Sequence, residues 1–163
     1  TNLDGYSVYG GEIGVQARWD NGMSARFTYA YTKEELPTDK QGNAVNNQYI
    51  PARRHSLNVR YDYDRQFSAR YGISAGISGR LLSGTENEEY RNYYDVSQGT
   101  VRVSYPAYTM WKLSLVQRIG KAVKLTTALD NLFNYRPKYY YLNSPVTDGI
   151  NFQIGLSIDI HEL

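Results

Sequence analysis

Tyrosine is the residue type whose number and placement in this sequence most clearly suggest chemistry. The 163-residue chain contains 17 tyrosines, and two polar stretches hold Tyr93 with Tyr94 and Tyr139 with Tyr140. A phenol ring offers an apolar face for stacking and a hydroxyl for hydrogen bonding. We therefore predict these four tyrosines as contacts for a sugar or an aromatic ligand. The same rings could instead pack the loops on one another, and the sequence leaves both interpretations open.

Residues suited to catalysis are few, and the sequence predicts no enzyme. The chain has no cysteine, and its two histidines are His55 and His161. No His-Glu-x-x-His pair exists, so the motif of common zinc enzymes is missing. An Asp–His mechanism would need an acidic partner for His55, and none lies nearby in the sequence. We predict no catalytic residue and no cofactor.

The charged residues indicate neither a metal site nor a nucleic-acid site. Glu86, Glu88 and Glu89 form an acidic run that we interpret as solvated rather than as a set of metal ligands. The formal net charge is +2, and no basic run is clustered as nucleic-acid binding would require. We therefore predict no metal site and no nucleic-acid partner.

Alternating strands must position the tyrosine-rich stretches. The last one is the clearest, because Phe152, Ile154, Leu156 and Ile158 share one face while polar residues and glycine share the other. Such a period of two is the signature of a strand with one apolar face. Six earlier segments alternate similarly, at about 12–19, 24–31, 56–63, 67–78, 111–118 and 123–130. No window approaches the ~18 consecutive apolar residues of a membrane helix.

The connections between these strands alternate in length. Short turns are predicted at Asp20, Asp64 and Gly120, whereas 34–53, 83–107 and 134–149 are long and polar. Outer-membrane barrels show this asymmetry, with short periplasmic turns and long extracellular loops. The pattern predicts an all-β fold: an antiparallel section of a transmembrane β-barrel with about seven strands. The four tyrosines then lie in extracellular loops.

The polar faces of the predicted strands carry many charges, which suits a wet or plugged barrel lumen. We place Gly72, Gly76 and Gly79 on the polar face of the fourth strand. Glycines within a strand mark a bulge or the close approach of another backbone. Either local barrel curvature or contact with a plug would explain them. The charged residues assigned to this face include Arg18, Arg26, Arg60, Arg70, Arg80, Lys112, Lys124, Glu12, Asp62, Asp130 and Asp159.

Three short motifs, in this order, resemble those of TonB-dependent outer-membrane receptors. They are Gly10-Gly11-Glu12, Ile50-Pro51-Ala52-Arg53, and Asn131-Leu132-Phe133 before the tyrosine-rich loop and last strand. The resemblance implies that residues 1–163 form the C-terminal section of a larger barrel, whose plug domain and earlier strands are not in this sequence. It implies a bacterial outer-membrane receptor for energy-coupled uptake of a scarce nutrient, such as an iron chelate, haem, cobalamin or a glycan.

The resemblance also implies partners. They are outer-membrane lipid, the remaining barrel strands, the plug domain, and a periplasm-spanning energy-transducing protein that docks on the family's N-terminal region. An odd number of strands fits this picture, because single-chain bacterial barrels close with an even number. We expect the first and last strands to pair with segments outside this sequence.

A soluble all-β module that binds carbohydrate or another ligand is the alternative. Its apolar faces would have to pack sheet on sheet, about 10 Å apart. Short connections at both ends are more usual for a sandwich of this size, so the length asymmetry favours the barrel.

Overall fold

The computed structural model describes residues 7–35, 53–92, 94–137, 147 and 149–161. Within these residues the chain forms β-strands and one short 3-10 helix, and no described helix is long and apolar enough to span a membrane. The strands are β1 Ser7–Arg18, β2 Met23–Glu35, β3 His55–Ser68, β4 Tyr71–Leu82, β5 Thr85–Tyr90, β6 Thr100–Tyr105, β7 Tyr108–Ile119, β8 Val123–Asp130 and β9 Asn151–Ile158, and the helix η1 is Val96–Gln98.

Seven strands form one sheet in the order β1-β2-β3-β4-β7-β8-β9, and β5 pairs with β6 in a separate two-stranded sheet. The predicted seven-stranded antiparallel section is confirmed. The long connection predicted over 83–107 contains two strands that the sequence did not predict, because β5 and β6 pair antiparallel from Thr85↔Tyr105 to Tyr90↔Thr100. Their residues are mostly polar or charged, so the apolar alternation that marks the other strands is weak here.

The pairing of β8 with β9 confirms how the last strands present their faces. Leu125 pairs with Leu156 and Leu129 with Phe152, whereas Lys124 pairs with Ser157. Directly paired residues point to the same side of a sheet, so one side is apolar and the other polar. The apolar side chains of β9 are 51% to 67% exposed.

Little apolar surface is buried within the described residues. Tyr105 is buried, while many large apolar residues of the sheet are exposed. A domain in water gains stability by removing such surface from solvent. This sheet therefore suits a lipid environment and gives no support to the soluble sandwich.

The short turns depend on particular residues. Gly22, with φ of 90°, and Gly120, with φ of 64°, occupy the left-handed region, which glycine adopts without steric cost. The Trp19 N–H donates to the Met23 carbonyl at 2.9 Å, closing the first hairpin. The turns predicted at Asp20 and Gly120 are thus confirmed.

The second turn was predicted at Asp64, which is wrong. β3 continues to Ser68, and the turn lies at 69–70. The charged run from Asp64 continues the alternation of the strand: the Asp64 carboxylate binds Arg118, and the Arg65 guanidinium lies 5.6 Å from the Phe67 ring centroid. A cation over an aromatic ring is favourable, so Arg65 can remain on the apolar side.

The chain divides into two compact units. The first comprises Thr1–Ile13, Tyr29–Ser56 and Leu82–Tyr108 and contains the β5–β6 hairpin. We refer to it as the hairpin unit. The second comprises Gly14–Thr28, Leu57–Leu81 and Thr109–Leu163 and contains the short turns. We refer to it as the turn unit.

Candidate functional site

Arg53 anchors the base of the β5–β6 hairpin in the hairpin unit. Its Nη1 donates to the carbonyls of Ser83, just before β5, and of Pro106, just after β6 (the second at 2.8 Å). Its guanidinium also lies 4.7 Å from the Tyr108 ring centroid. One side chain thus holds both ends of the hairpin. This gives a physical role to the last residue of the Ile50-Pro51-Ala52-Arg53 motif, whose first three residues lie outside the described part of the chain.

A polar cavity of about 740 Å³ lies beside this hairpin. Thr85 and Ser104 contribute hydroxyl-bearing side chains to its lining, and Arg54 contributes a guanidinium. Arg102 forms an ion pair with Glu86 at 2.7 Å, and both side chains are more than half exposed. Such exposed pairs contribute little stability, so they can exchange their partner for a ligand at small cost. The lining residues are Glu34, Arg54, Gly84, Thr85, Glu86, Arg102, Ser104, Tyr105, Pro106 and Ala107.

The structure places one of the four predicted ligand tyrosines. Tyr94 is fully exposed between β5 and η1, and its N–H donates to the Asn92 side chain at 2.9 Å. It does not line the polar cavity. Tyr93, Tyr139 and Tyr140 lie outside the described residues, so their role stays a prediction.

The sequence did not single out Arg54 or Arg102 as cavity residues. Arg102 lies in the alternating segment 100–105, and that alternation was the available signal. Arg54 follows a motif that was identified only by resemblance, and nothing local in the sequence pointed to a cavity.

Asp95 fixes the turn that follows Tyr94. Its Oδ1 accepts a hydrogen bond from the Ser97 hydroxyl at 2.6 Å, and its Oδ2 accepts one from the Gln98 amide at 3.0 Å. These donors favour the ionised form, and they hold the pKa of the Asp95 carboxyl below its usual range, with the Ser97 hydroxyl as the larger cause. The turn is therefore best ordered when Asp95 is charged.

Asn131 joins the two ends of the segment between β8 and β9. Its Nδ2 donates to the Tyr135 carbonyl at 2.8 Å and to the Thr147 hydroxyl at 3.1 Å, while its Oδ1 accepts from the Tyr135 N–H at 2.8 Å. The residue has φ of 53°, a left-handed conformation that asparagine tolerates better than most residues. Asn131 is thus a positioning residue for the two described ends of this segment, at Tyr135 and Thr147.

The other residues of this motif support the same corner. The Leu132 N–H donates to the Trp111 carbonyl at 3.0 Å, and the Phe133 ring meets the Trp111 indole edge-on at 6.1 Å between centroids.

In the hairpin unit, Gly10 of the first motif permits close packing of the backbone, because a Cβ there would collide with the Tyr31 carbonyl oxygen. Two of the three motifs therefore include residues that permit close packing or fix a turn.

The sequence analysis placed Gly79 on the polar face, and this assignment is wrong. A Cβ on Gly79 would lie 2.6 Å from carbon atoms of the Trp111 indole. Trp111 belongs to the apolar side of β7, so Gly79 provides a flat surface for this ring. By contrast, a Cβ on Gly76 would meet the Asp62 carboxylate at 2.7 Å, which agrees with its placement on the polar face.

The histidine environment matches no catalytic arrangement among the described residues. His55 Nδ1 lies 2.7 Å from the Tyr29 hydroxyl, and its ring packs on Tyr31 at 5.3 Å between centroids. Within the described part of the chain, no three or more His, Cys, Asp or Glu side chains are grouped to hold a metal ion.

Charged residues on the polar face of the turn unit form ion pairs. Lys112 pairs with Asp130 at 3.1 Å, directly across β7 and β8. Arg118 pairs with Asp64 at 3.1 Å, and the same carboxylate binds the Ser74 hydroxyl. This side of the sheet is therefore built to be wet or to contact polar groups.

Comparison with known proteins gave one family match. The family model described as "TonB dependent receptor-like, beta-barrel" matches residues 1–132. No curated protein and no solved structure matches this chain.

Proposed function

This chain belongs to the TonB-dependent receptor-like β-barrel family of the bacterial outer membrane, and on that premise we propose that it serves energy-coupled uptake of a scarce nutrient. Candidate nutrients are an iron chelate, haem, cobalamin or a glycan. The receptor would draw energy from a periplasm-spanning protein that docks on the receptor's N-terminal region.

The two-sided sheet is the observation that supports this proposal most strongly. Its apolar side exposes residues such as Ile154 and Leu156, whereas its other side carries ion pairs such as Lys112 with Asp130. A barrel wall needs this division, because one side meets lipid and the other meets a polar interior.

The edges of the sheet lead to a second part of the proposal. β1 and β9 are terminal in the strand order, and each pairs with one neighbouring strand of the sheet. Unpaired N–H and C=O groups in hydrocarbon cost several kcal/mol each. We propose that further strands of the same barrel cover both edges and that residues 1–163 are the C-terminal section of that barrel. A barrel that encloses a plug domain has about 22 strands.

We further propose that ligand is first captured at the hairpin unit. The polar cavity beside β5 and β6 offers hydroxyls and arginines, and Tyr94 extends from the far end of the same hairpin. Tyr93, Tyr139 and Tyr140 are proposed to add stacking surfaces. Binding residues tend to concentrate on such connecting segments, which a rigid scaffold holds in place.

Growth on single nutrients tests the proposal. A strain that lacks the gene should fail to grow when one candidate nutrient is the sole source of the limiting element, and the wild-type gene should restore growth. A strain that lacks the energy-transducing protein should show the same defect. Normal growth of the deletion strain on every candidate, or uptake that persists without the energy-transducing protein, would contradict the proposed function.

A further inference from the structure

Basic residues are concentrated at a second cavity, on the polar face of the turn unit. This cavity has a volume of about 350 Å³, and its lining includes Arg26, Arg60, Arg80 and Lys112 together with one carboxylate, Asp130. We refer to it as the basic cavity. It is distinct from the polar cavity of the hairpin unit and has no role in the proposed capture step.

The sheet topology explains why these four cations meet. Arg26 lies on β2, Arg60 on β3, Arg80 on β4 and Lys112 on β7, and these four strands are consecutive in the sheet. Neighbouring strands are about 4.8 Å apart, and four neighbouring strands each contribute one cation to the lining of the same cavity. Like charges at such spacing repel one another unless anions lie between them.

Protein groups balance only part of this charge. Arg60 pairs with Asp62 at 2.7 Å and Lys112 pairs with Asp130 at 3.1 Å. Arg26 donates only to a neutral side-chain amide, at 3.1 Å. No hydrogen bond or ion pair links Arg80 to another residue in the described part of the chain. Two guanidinium groups at one cavity therefore have no carboxylate partner among the described residues.

A smaller neighbouring cavity extends the same surface. It has a volume of about 280 Å³, shares Arg26 and Arg60 with the basic cavity, and adds Arg18 and Asp62. Together the two cavities present five cations and two carboxylates. A local excess of one charge raises the concentration of oppositely charged ligands and speeds their arrival.

The lining also indicates what kind of anion would fit. Most of the exposed lining of the basic cavity is apolar, and the residues that form it include Val59 and Trp111. Arginine and lysine can add their methylene stems to such a lining while their charged groups stay in contact with water. Met110 adds a thioether, and Thr28, Asn58 and Ser78 add neutral hydrogen-bonding groups. A small inorganic anion would leave the apolar lining uncovered. A ligand with an apolar body and peripheral oxyanions would use both features.

We infer that the basic cavity binds an organic anion of this class: a compact apolar or aromatic body that carries two or more carboxylates. This inference rests on the proposed function, and it identifies the substrate class as anionic. Arg80 and Arg26 bind the carboxylates, because a guanidinium group can donate two parallel hydrogen bonds to each one. The methylene stems and Met110 contact the body of the ligand.

Calorimetric titration of the purified receptor in detergent tests the inference. Naphthalenedicarboxylate is the probe that combines both features, its diamide lacks the charge, and inorganic phosphate lacks the apolar body. We expect the dicarboxylate to bind most tightly. We expect Arg80→Gln to weaken its binding about tenfold or more, as the loss of a charge-assisted hydrogen-bonding partner predicts.

The matched control is Lys124→Gln. Lys124 is exposed on β8 with the same side-chain parity as the polar face, and it lines neither cavity. Removing its charge should change the affinity less than twofold, roughly the effect of one distant, screened charge. Arg26→Gln provides a second cavity variant if Arg80→Gln reduces the yield of folded receptor.

Three results would overturn the inference: no binding of the dicarboxylate, equal binding of the diamide, or equal losses in the Arg80 and Lys124 variants. Tighter binding of phosphate would also overturn it, because it would indicate an inorganic anion site. The growth assay separates this outcome from failure of the proposed function. A receptor that restores growth but does not bind the dicarboxylate remains a transporter, and only the anion site is then wrong.

Discussion

Replacing Asn131 with alanine should be among the most damaging single changes in the described part of the chain. The side chain is only 3% exposed and makes three hydrogen bonds, two with the Tyr135 backbone and one with the Thr147 hydroxyl. Alanine makes none of these, and its Cβ disfavours the left-handed conformation that the backbone adopts here. The expected result is loss of receptor stability and loss of the link between Tyr135 and Thr147.

The magnitude follows from these contributions. A hydrogen bond contributes a net of about 1 kcal/mol, and a residue other than glycine or asparagine pays about 1–2 kcal/mol in the left-handed region. Three bonds and the backbone cost together predict a loss of about 4–5 kcal/mol in the free energy of unfolding. The measurement is equilibrium unfolding of the intact receptor by urea in lipid vesicles.

Two control variants separate the contributions. Asn134 also has a left-handed backbone, with φ of 52°, but it is exposed. Asn134→Ala should therefore cost only about 1–2 kcal/mol. Asn131→Gly keeps the backbone conformation and removes only the hydrogen bonds, so its loss should lie between those of the two alanine variants. If Asn131→Ala cost no more than Asn134→Ala, the proposed positioning role of Asn131 would be refuted.

Three further predictions concern lipid contact, ligand capture and pH. Leu156→Arg should lower the free energy of unfolding in vesicles by about 2–4 kcal/mol if the residue lies near the bilayer midplane. Ser157→Arg, on the polar side of the same strand, should lower it far less. Equal losses would contradict the assignment of Leu156 to the lipid-facing side. Replacing Tyr93 and Tyr94 with alanine should weaken the apparent affinity of uptake at normal surface levels; an unchanged affinity would favour the loop-packing interpretation. The pKa of Asp95 is lowered, so its stabilising contribution is present above the pKa of the unfolded chain, about 3.9, and is lost as pH falls through the folded value. The protection of the amides at 95–98, measured relative to the intrinsic exchange rate at each pH, should fall over that interval, and Asp95→Asn should remove this pH dependence of the protection.

The strands could be predicted because their alternation is local and repeated. Leu156 was assigned to the apolar face from its own segment alone, and the structure pairs it directly with Leu125 of β8. With a period of two, the faces of a strand are assigned correctly even when the position of the adjoining turn is wrong. The second turn lies five residues later than predicted, yet Phe67 and Tyr71 remain on the same side, with ring centroids 6.1 Å apart.

The parts that could not be predicted depend on contacts between distant residues. Arg53 binds carbonyls that follow it by 30 and 53 residues, and Gly79 accommodates an indole from another strand. Neither contact leaves a periodic signal in the sequence. The basic cavity is similar, since each of its arginines looked like an ordinary polar-face residue, and only the strand order brought them together.

The attachment of the β5–β6 hairpin through Arg53 has a consequence for how this protein can diversify. Because one guanidinium holds the carbonyls on both sides of the hairpin, we expect the residues between them to tolerate changes in length and composition. We expect natural variants to differ most between Gly84 and Tyr105, while Arg53 and its two carbonyl partners keep their geometry. The hairpin could therefore vary in sequence while its attachment to the rest of the hairpin unit stays the same.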